Sequence, residues 1–227
     1  MVHCCIAGQE ISFSCQIPSL ETYKLTGAET ISAPVIVSDP YEVNTHSSGW
    51  VAGADRSVDV WTAKGGLLLR VSGFRDFYIA RGGRAVIPVA GGPTLTALEQ
   101  EVVLGPALTL ALALGGKWCL HASGASFKNQ GMVFLGESGC GKSTLAAFLA
   151  EADKPDWQRI ADDILPVSLG EDGLTGWTHF PQLKLSAENQ PSVNLPETVL
   201  VDQIFQLAPE KSAVIPRVDL VSANEVA

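Results

Sequence analysis

The sequence predicts an α/β fold, a phosphate-loop core behind an N-terminal β-rich region, on three observations. An apolar strand, a glycine-rich loop and a helix follow one another over residues 132–151. Short β-rich runs separated by turn signals occupy residues 35–93. A second apolar strand, residues 159–167, carries two adjacent acids. The division expected is a β-rich region at 1–93 and a core at 94–227, and 227 residues suit one large domain or two small ones.

Taken in order, residues 1–30 carry little pattern and receive no assigned structure. Pro34-Val35-Ile36-Val37-Ser38, Val58-Asp59-Val60-Trp61-Thr62, Leu67-Leu68-Leu69-Arg70-Val71, Phe77-Tyr78-Ile79-Ala80 and Arg84-Ala85-Val86-Ile87-Pro88-Val89 read as short strands. Lys64-Gly65-Gly66, Ser72-Gly73, Arg81-Gly82-Gly83 and Gly91-Gly92-Pro93 punctuate them, which suggests a small antiparallel sheet or meander. Residues 94–116 change to a helical rhythm, with Leu98, Val102, Leu104, Leu108 and Leu112 near one face and Glu99 and Glu101 off it. Pro106 is expected to kink or divide that helix. Lys117 to Leu120 returns to strand, His121 to Phe127 continues it, and Lys128-Asn129-Gln130-Gly131 is a hairpin-like turn. His121 is thus expected on a strand neighbouring the one that leads into the loop. Trp177 to Leu185 reads as mixed strand and loop, and Leu200 to Leu207 as a last strand.

Gly136-Glu137-Ser138-Gly139-Cys140-Gly141-Lys142-Ser143 matches G-x-x-x-x-G-K-[ST] in full, and Thr144 continues into the helix. Glycines let backbone N–H groups approach a phosphate with no Cβ in the way, and the helix N-terminus adds partial positive charge. Lys142 would reach the β- and γ-phosphates and Ser143 would offer its hydroxyl to Mg²⁺. Cys140 reads as a small residue filling a variable loop position, with a redox role as the sharper alternative.

Phosphoryl transfer to a hydroxyl also requires a carboxylate for the metal and a group that takes the acceptor's proton. Asp162 and Asp163 follow the loop by one helix crossover. Successive strand residues face opposite sides, so both reach one site only if the strand breaks there. Burying two unpaired acids is expensive, which favours a functional pair over a turn or a helix cap. His121 reads either as a satisfied core residue or as a group that orients or shares the acceptor's proton.

Leu120-His121-Ala122-Ser123, the loop 136–143 and Ala161-Asp162-Asp163 together resemble the catalytic domain of the HPr kinase/phosphorylase superfamily, over roughly residues 100–185. The resemblance implies a fold related to the phosphoenolpyruvate carboxykinase nucleotide-binding core, with ATP and Mg²⁺ as cofactors. It implies Asp163 as the base for an acceptor serine, His121 as its partner in the proton shuttle, Lys142 on the phosphates, Ser143 on the metal and Asp162 as a supporting acid near the metal. The glycine-rich signature that follows the acids in the bifunctional enzymes is absent. Phe180-Pro181-Gln182-Leu183-Lys184-Leu185 is instead similar to short stand-alone members, among them lasso peptide precursor kinases. Lys184 is read as a phosphate contact or an ordinary strand lysine.

A net charge of −9 argues against general affinity for nucleic acid or an anionic membrane. The most apolar stretch, Val102 to Gly115, holds Gly105 and Pro106 and stops short of the ~18–20 residues of a membrane span, so a buried helix is expected. Five cysteines without metal-ligand spacing are simplest as reduced thiols in the cytoplasm. Three functions stay open at this point: a kinase of a serine in a peptide or small protein, a small-molecule kinase, and a non-catalytic nucleotide-binding regulator. A homo-oligomer is allowed.

Overall fold

Alternating burial over residues 2–13 builds a hairpin in the stretch to which the sequence reading assigns no structure. Strands β1 (Val2–Ile6) and β2 (Gln9–Phe13) pair antiparallel, and Cys4, Ile6, Ile11 and Phe13 are buried. Ala7 and Gly8 turn the chain with φ of 49° and 66°. The computed structural model describes residues 2–25, 46–50, 57–151, 156–182 and 195–208. The expected strand at Pro34–Ser38 and Lys184 lie outside them. The chain divides into two compact units, Met1–Trp118 and Cys119–Ala227. The boundary expected from sequence, at 93/94, precedes the helix rather than following it.

In the first unit, β3 (His46–Trp50), β4 (Ser57–Ala63), β5 (Gly66–Val71), β6 (Phe77–Ala80) and β7 (Ala85–Pro88) form a meander, each antiparallel to the next; β4 to β7 fall on the expected runs, and β3 is a strand the sequence reading does not assign. β2 adds to its far edge by pairing parallel with β7, giving seven strands in the order β1-β2-β7-β6-β5-β4-β3. The helical stretch runs from α1 (Ala97–Val102) through a π turn at Val103–Ala107 into α2 (Leu108–Leu114). Proline has no N–H to give and collides with the carbonyl four residues back. The widened π turn accommodates Pro106, so the helix is neither broken nor divided there.

At 18 residues this helix is long and apolar enough to cross a membrane by length and composition. Val103, Leu104, Ala107, Leu108, Ala111 and Leu112 are nevertheless buried, with α2 packed on β6 and β7, which makes it a core helix. Two residues at its start sit opposite to expectation: Leu98 is 45% exposed and Glu99 only 7%. Glu99 is buried because it is paired. Its carboxylate accepts from Arg75 Nε at 2.5 Å and from the Thr96 N–H at 2.8 Å, while the Thr96 hydroxyl accepts from the Glu99 N–H, closing a capping box. Arg75 donates onward to the carbonyls of Ala90 and Gly92, which ties the β7–α1 connection to the helix start.

The second unit carries β8 (Trp118–His121) from its second residue on, β9 (Ser123–Phe127), β10 (Gln130–Gly136), α3 (Lys142–Glu151), β11 (Trp157–Ala161), β12 (Ile164–Gly170), β13 (Gly173–Trp177) and β14 (Thr198–Leu207). Its sheet has the order β11-β9-β10-β14-β13-β12-β8. β10 and β11 are each antiparallel to β9, so the β10–α3–β11 segment is a crossover over β9, and α3 packs on β9 and β11. The last strand, β14, runs parallel beside β10. Val133, Ile160, Ala161, Leu165, Val167 and Val199 form the core of this sheet.

Only Ala122 separates β8 from β9, and only Asp162-Asp163 separates β11 from β12. The two edge strands are therefore continuations of strands inside the sheet, and the two connections bend at the same place, where the Ala122 N–H donates to the Asp163 carbonyl at 3.1 Å. The expected single strand from Lys117 to Phe127 is thus two. His121 ends β8 beside β12, and the strand that flanks β10 begins at Ser123.

Candidate phosphoryl-transfer site

The pairing register brings four strand ends together. Ser123 at the start of β9 lies opposite Phe134, two residues before the end of β10, and Ala161 at the end of β11 lies opposite Gly124. Gly136 at the end of β10 lies opposite Leu207 of β14. The 136–143 loop leaves from this end of the sheet, and the 122/162–163 bend forms its neighbour. In open α/β sheets the crevice beyond the strand ends is where ligands bind.

Gly136, Gly139 and Gly141 all hold positive φ, at 144°, 85° and 97°. A Cβ on Gly136 would stand 2.6 Å from the Leu207 carbonyl oxygen and 2.7 Å from Cys140 Sγ, so the loop's first position admits only glycine. Cys140 is half-buried beside it, as a small filling residue would be. Glu137, Ser138 and Gly139 are exposed at the crown, as are Ser143 and Thr144 at the first turn of α3. The first N–H groups of α3, those of Lys142, Ser143 and Thr144, have no intrahelical acceptor and face the loop end of the helix. Lys142 is 6% exposed and arches back over the loop, its Nζ donating to the carbonyls of Gly136 at 2.7 Å and Glu137 at 3.0 Å.

The acids differ from one another. Asp162 is 7% exposed, and its carboxylate is ion-paired with Arg159 three residues earlier. Its main-chain carbonyl is the junction of the site, taking the Ser123 hydroxyl at 2.5 Å and the Ser143 hydroxyl at 3.3 Å. The Asp163 carboxylate turns the other way, 3.6 Å from His121 Nδ1. The strand break between β11 and β12 is what lets the two point apart yet stay at one corner. His121 is 56% exposed at its side chain, which is the condition of a surface imidazole rather than a satisfied core residue.

Gln182 is the residue whose place here the sequence did not reveal. Only 2% exposed, it turns its amide oxygen to the N–H groups of Asp162 and Asp163, at 3.1 Å each, and of Ile164 at 3.5 Å. Its amide nitrogen donates to the Ile164 carbonyl at 2.9 Å. It lies in a segment flagged by resemblance alone, and a glutamine that bonds backbone some twenty residues earlier leaves no spacing to read.

The residues present suit a nucleotide phosphate group. Positive-φ glycines, a helix N-terminus and a lysine folded over the loop form an anion cradle. Among the described residues, no three His, Cys, Asp or Glu side chains gather as a metal cage. Mg²⁺ commonly takes one or two protein oxygens and completes its shell with phosphate oxygens and water, for which the exposed Ser143 hydroxyl is placed.

No family model matches the chain, and no curated protein matches it. Among solved structures it is similar to the HPr(Ser) kinase/phosphatase from Coxiella burnetii, at 18% identity over 43% of this chain and 71% of that one, with a TM-score of 0.32.

Proposed function

We propose that this protein is a kinase that moves the γ-phosphoryl group of ATP, with Mg²⁺, onto a serine hydroxyl of a peptide or small protein. The observation that carries the reading is the meeting of the glycine loop with the acid pair at one atom. The Ser143 hydroxyl bonds the Asp162 carbonyl, and the next carboxylate, that of Asp163, faces His121. A nucleotide switch needs the loop but has no use for an acid–histidine pair poised beside it.

In this reading the loop amides and Lys142 hold the phosphates, Lys142 exchanging the Gly136 and Glu137 carbonyls for phosphate oxygens. Ser143 would hold Mg²⁺, which when bound would supply neutralisation of the phosphate charge. The Asp162 carboxylate holds Arg159, which fixes the bend. Asp163 accepts the proton of the acceptor hydroxyl, and His121, at 3.6 Å, orients that carboxylate or shares the proton. Positioning and electrostatics account for the rate, as in other phosphoryl transfers.

The test is transfer of label from γ-labelled ATP with Mg²⁺ to an array of serine peptides, run beside Lys142→Met and Asp163→Asn. The reading expects labelled peptide with the wild type and neither variant active. Nucleotide binding without transfer would favour the regulator. Label appearing only in small molecules when a metabolite extract is supplied would favour the small-molecule kinase.

A further inference from the structure

The geometry points to Gln182 as the positioning residue that aims the Asp163 carboxylate. This rests on the kinase reading above. Asp162, Asp163 and Ile164 have left the β11–β9 ladder, so their N–H groups need acceptors from elsewhere. One buried amide oxygen meets all three, at 3.1, 3.1 and 3.5 Å. The same side chain's NH₂ returns to the Ile164 carbonyl at 2.9 Å and reaches the Phe180 carbonyl at 3.4 Å. Gln182 thus bonds both ends of the bend while remaining 2% exposed.

Neither other clamp on the bend can replace it. Ser123 and Ser143 hold the Asp162 carbonyl, on the far side of its peptide plane, and Arg159 holds the Asp162 carboxylate. The Asp162 carbonyl and the Asp163 N–H belong to one peptide, held by the serines at its oxygen and by Gln182 at its N–H. The next peptide is held by Ala122 at the Asp163 carbonyl and by Gln182 at the Ile164 N–H. Gln182 thus bonds both peptides that flank the Asp163 α-carbon, whereas the serines bond one and Ala122 the other. Gln182 both accepts from and donates to the bend, which is why an amide suits the position and a leucine of similar volume does not.

The experiment compares wild type, Gln182→Leu, Gln182→Glu and Asp163→Asn. Nucleotide affinity is measured with ATP–Mg²⁺, turnover with a serine-peptide array, and the His121 ring resonances by NMR. Gln182→Leu is expected to lower kcat by about 10- to 100-fold, the scale of a roughly ångström misplacement, with nucleotide affinity within about threefold of wild type. Its His121 resonances should move toward those of Asp163→Asn. Gln182→Glu in its protonated form accepts and donates as the amide does, so it is expected to restore turnover toward acid pH, with the rescue fading as pH rises and the carboxyl loses its donor. A Gln182→Leu protein with wild-type turnover and His121 resonances, or one that loses nucleotide affinity in step with turnover, would overturn the assignment. A wild type that binds ATP but transfers nothing defeats the kinase reading itself, and the His121 resonances of Gln182→Leu still report whether it aims Asp163.

Discussion

The hydroxyls of Ser123 and Ser143 lie 3.3 Å apart, and both reach the main-chain carbonyl of Asp162. One hydroxyl belongs to a fully buried strand residue and the other to the exposed first turn of α3. The acid pair, the sheet and the loop helix are therefore coupled through a single oxygen. Removing the buried hydroxyl leaves that oxygen with only the longer Ser143 bond. Ser123→Ala is expected to destabilise the fold by about 0.5–1.5 kcal/mol, the net worth of one hydrogen bond, read as a lower urea midpoint at unchanged slope. An unchanged midpoint would mean that the Ser143 hydroxyl satisfies the oxygen by itself.

The two acids are expected to separate in their effects. Asp162→Ala deprives Arg159 of its partner and should cost about 1–3 kcal/mol in chemical denaturation. Asp163→Asn should instead lower phosphoryl transfer by about 10²- to 10⁴-fold, the usual share of a general base, with nucleotide affinity retained. Equal losses of transfer and stability in both variants would contradict the division of labour.

The reach of sequence reasoning follows from how local each signal is. The loop 136–143, its strand and its helix were legible because every fixed position lies within a dozen residues. The strand break at Asp162-Asp163 was legible only as a condition, since alternation along an unbroken strand sends adjacent acids to opposite faces. The bend at Ala122 was not, since nothing in His121-Ala122-Ser123 distinguishes one strand from two. Glu99 was placed on the wrong face because its partner, Arg75, lies 24 residues upstream and turns a charged residue into a buried one. The β1–β2 hairpin had a readable alternation at Ile11-Ser12-Phe13 and a glycine turn at Gly8, too short to stand out from the cysteines around it. Gln182 acts through backbone atoms, which sequence periodicity does not record.

Acid should find the Glu99 contact. The Arg75 hydrogen bond, then the Thr96 N–H, hold the Glu99 carboxyl below its ordinary value. A folded-state pKa below the unfolded one stabilises fully above the unfolded value, about 4.3, and the contribution is lost as pH falls through the folded value. The difference in stability between wild type and Glu99→Gln is expected to be largest near neutrality and to shrink below about pH 4. A difference independent of pH from 7 to 3, in denaturant titrations, would rule out this linkage.

Alkaline pH should find two thiols. Burial pushes Cys4 and Cys15 up to about 11 each. A folded value above the unfolded one, about 8.5, stabilises below that pH and is lost as pH rises toward 11. At pH 8, iodoacetamide is expected to modify half-buried Cys140 in the native protein and to reach Cys4 and Cys15 only after denaturation, by peptide mass mapping. Native-state labelling of Cys4 and Cys15 at the rate of Cys140 would contradict the buried placement.

The claim that the glycine loop and the Asp163–His121 pair form one phosphoryl-transfer site is tested most directly by ³¹P NMR of ATP–Mg²⁺ incubated with the protein and a pool of serine peptides. The account predicts loss of the γ-phosphate signal and growth of a phosphoserine signal with the wild type, and neither with Asp163→Asn, although both proteins bind the nucleotide. Phosphoserine formed equally fast by Asp163→Asn, or bound ATP left intact by the wild type across the peptide pool, would contradict it.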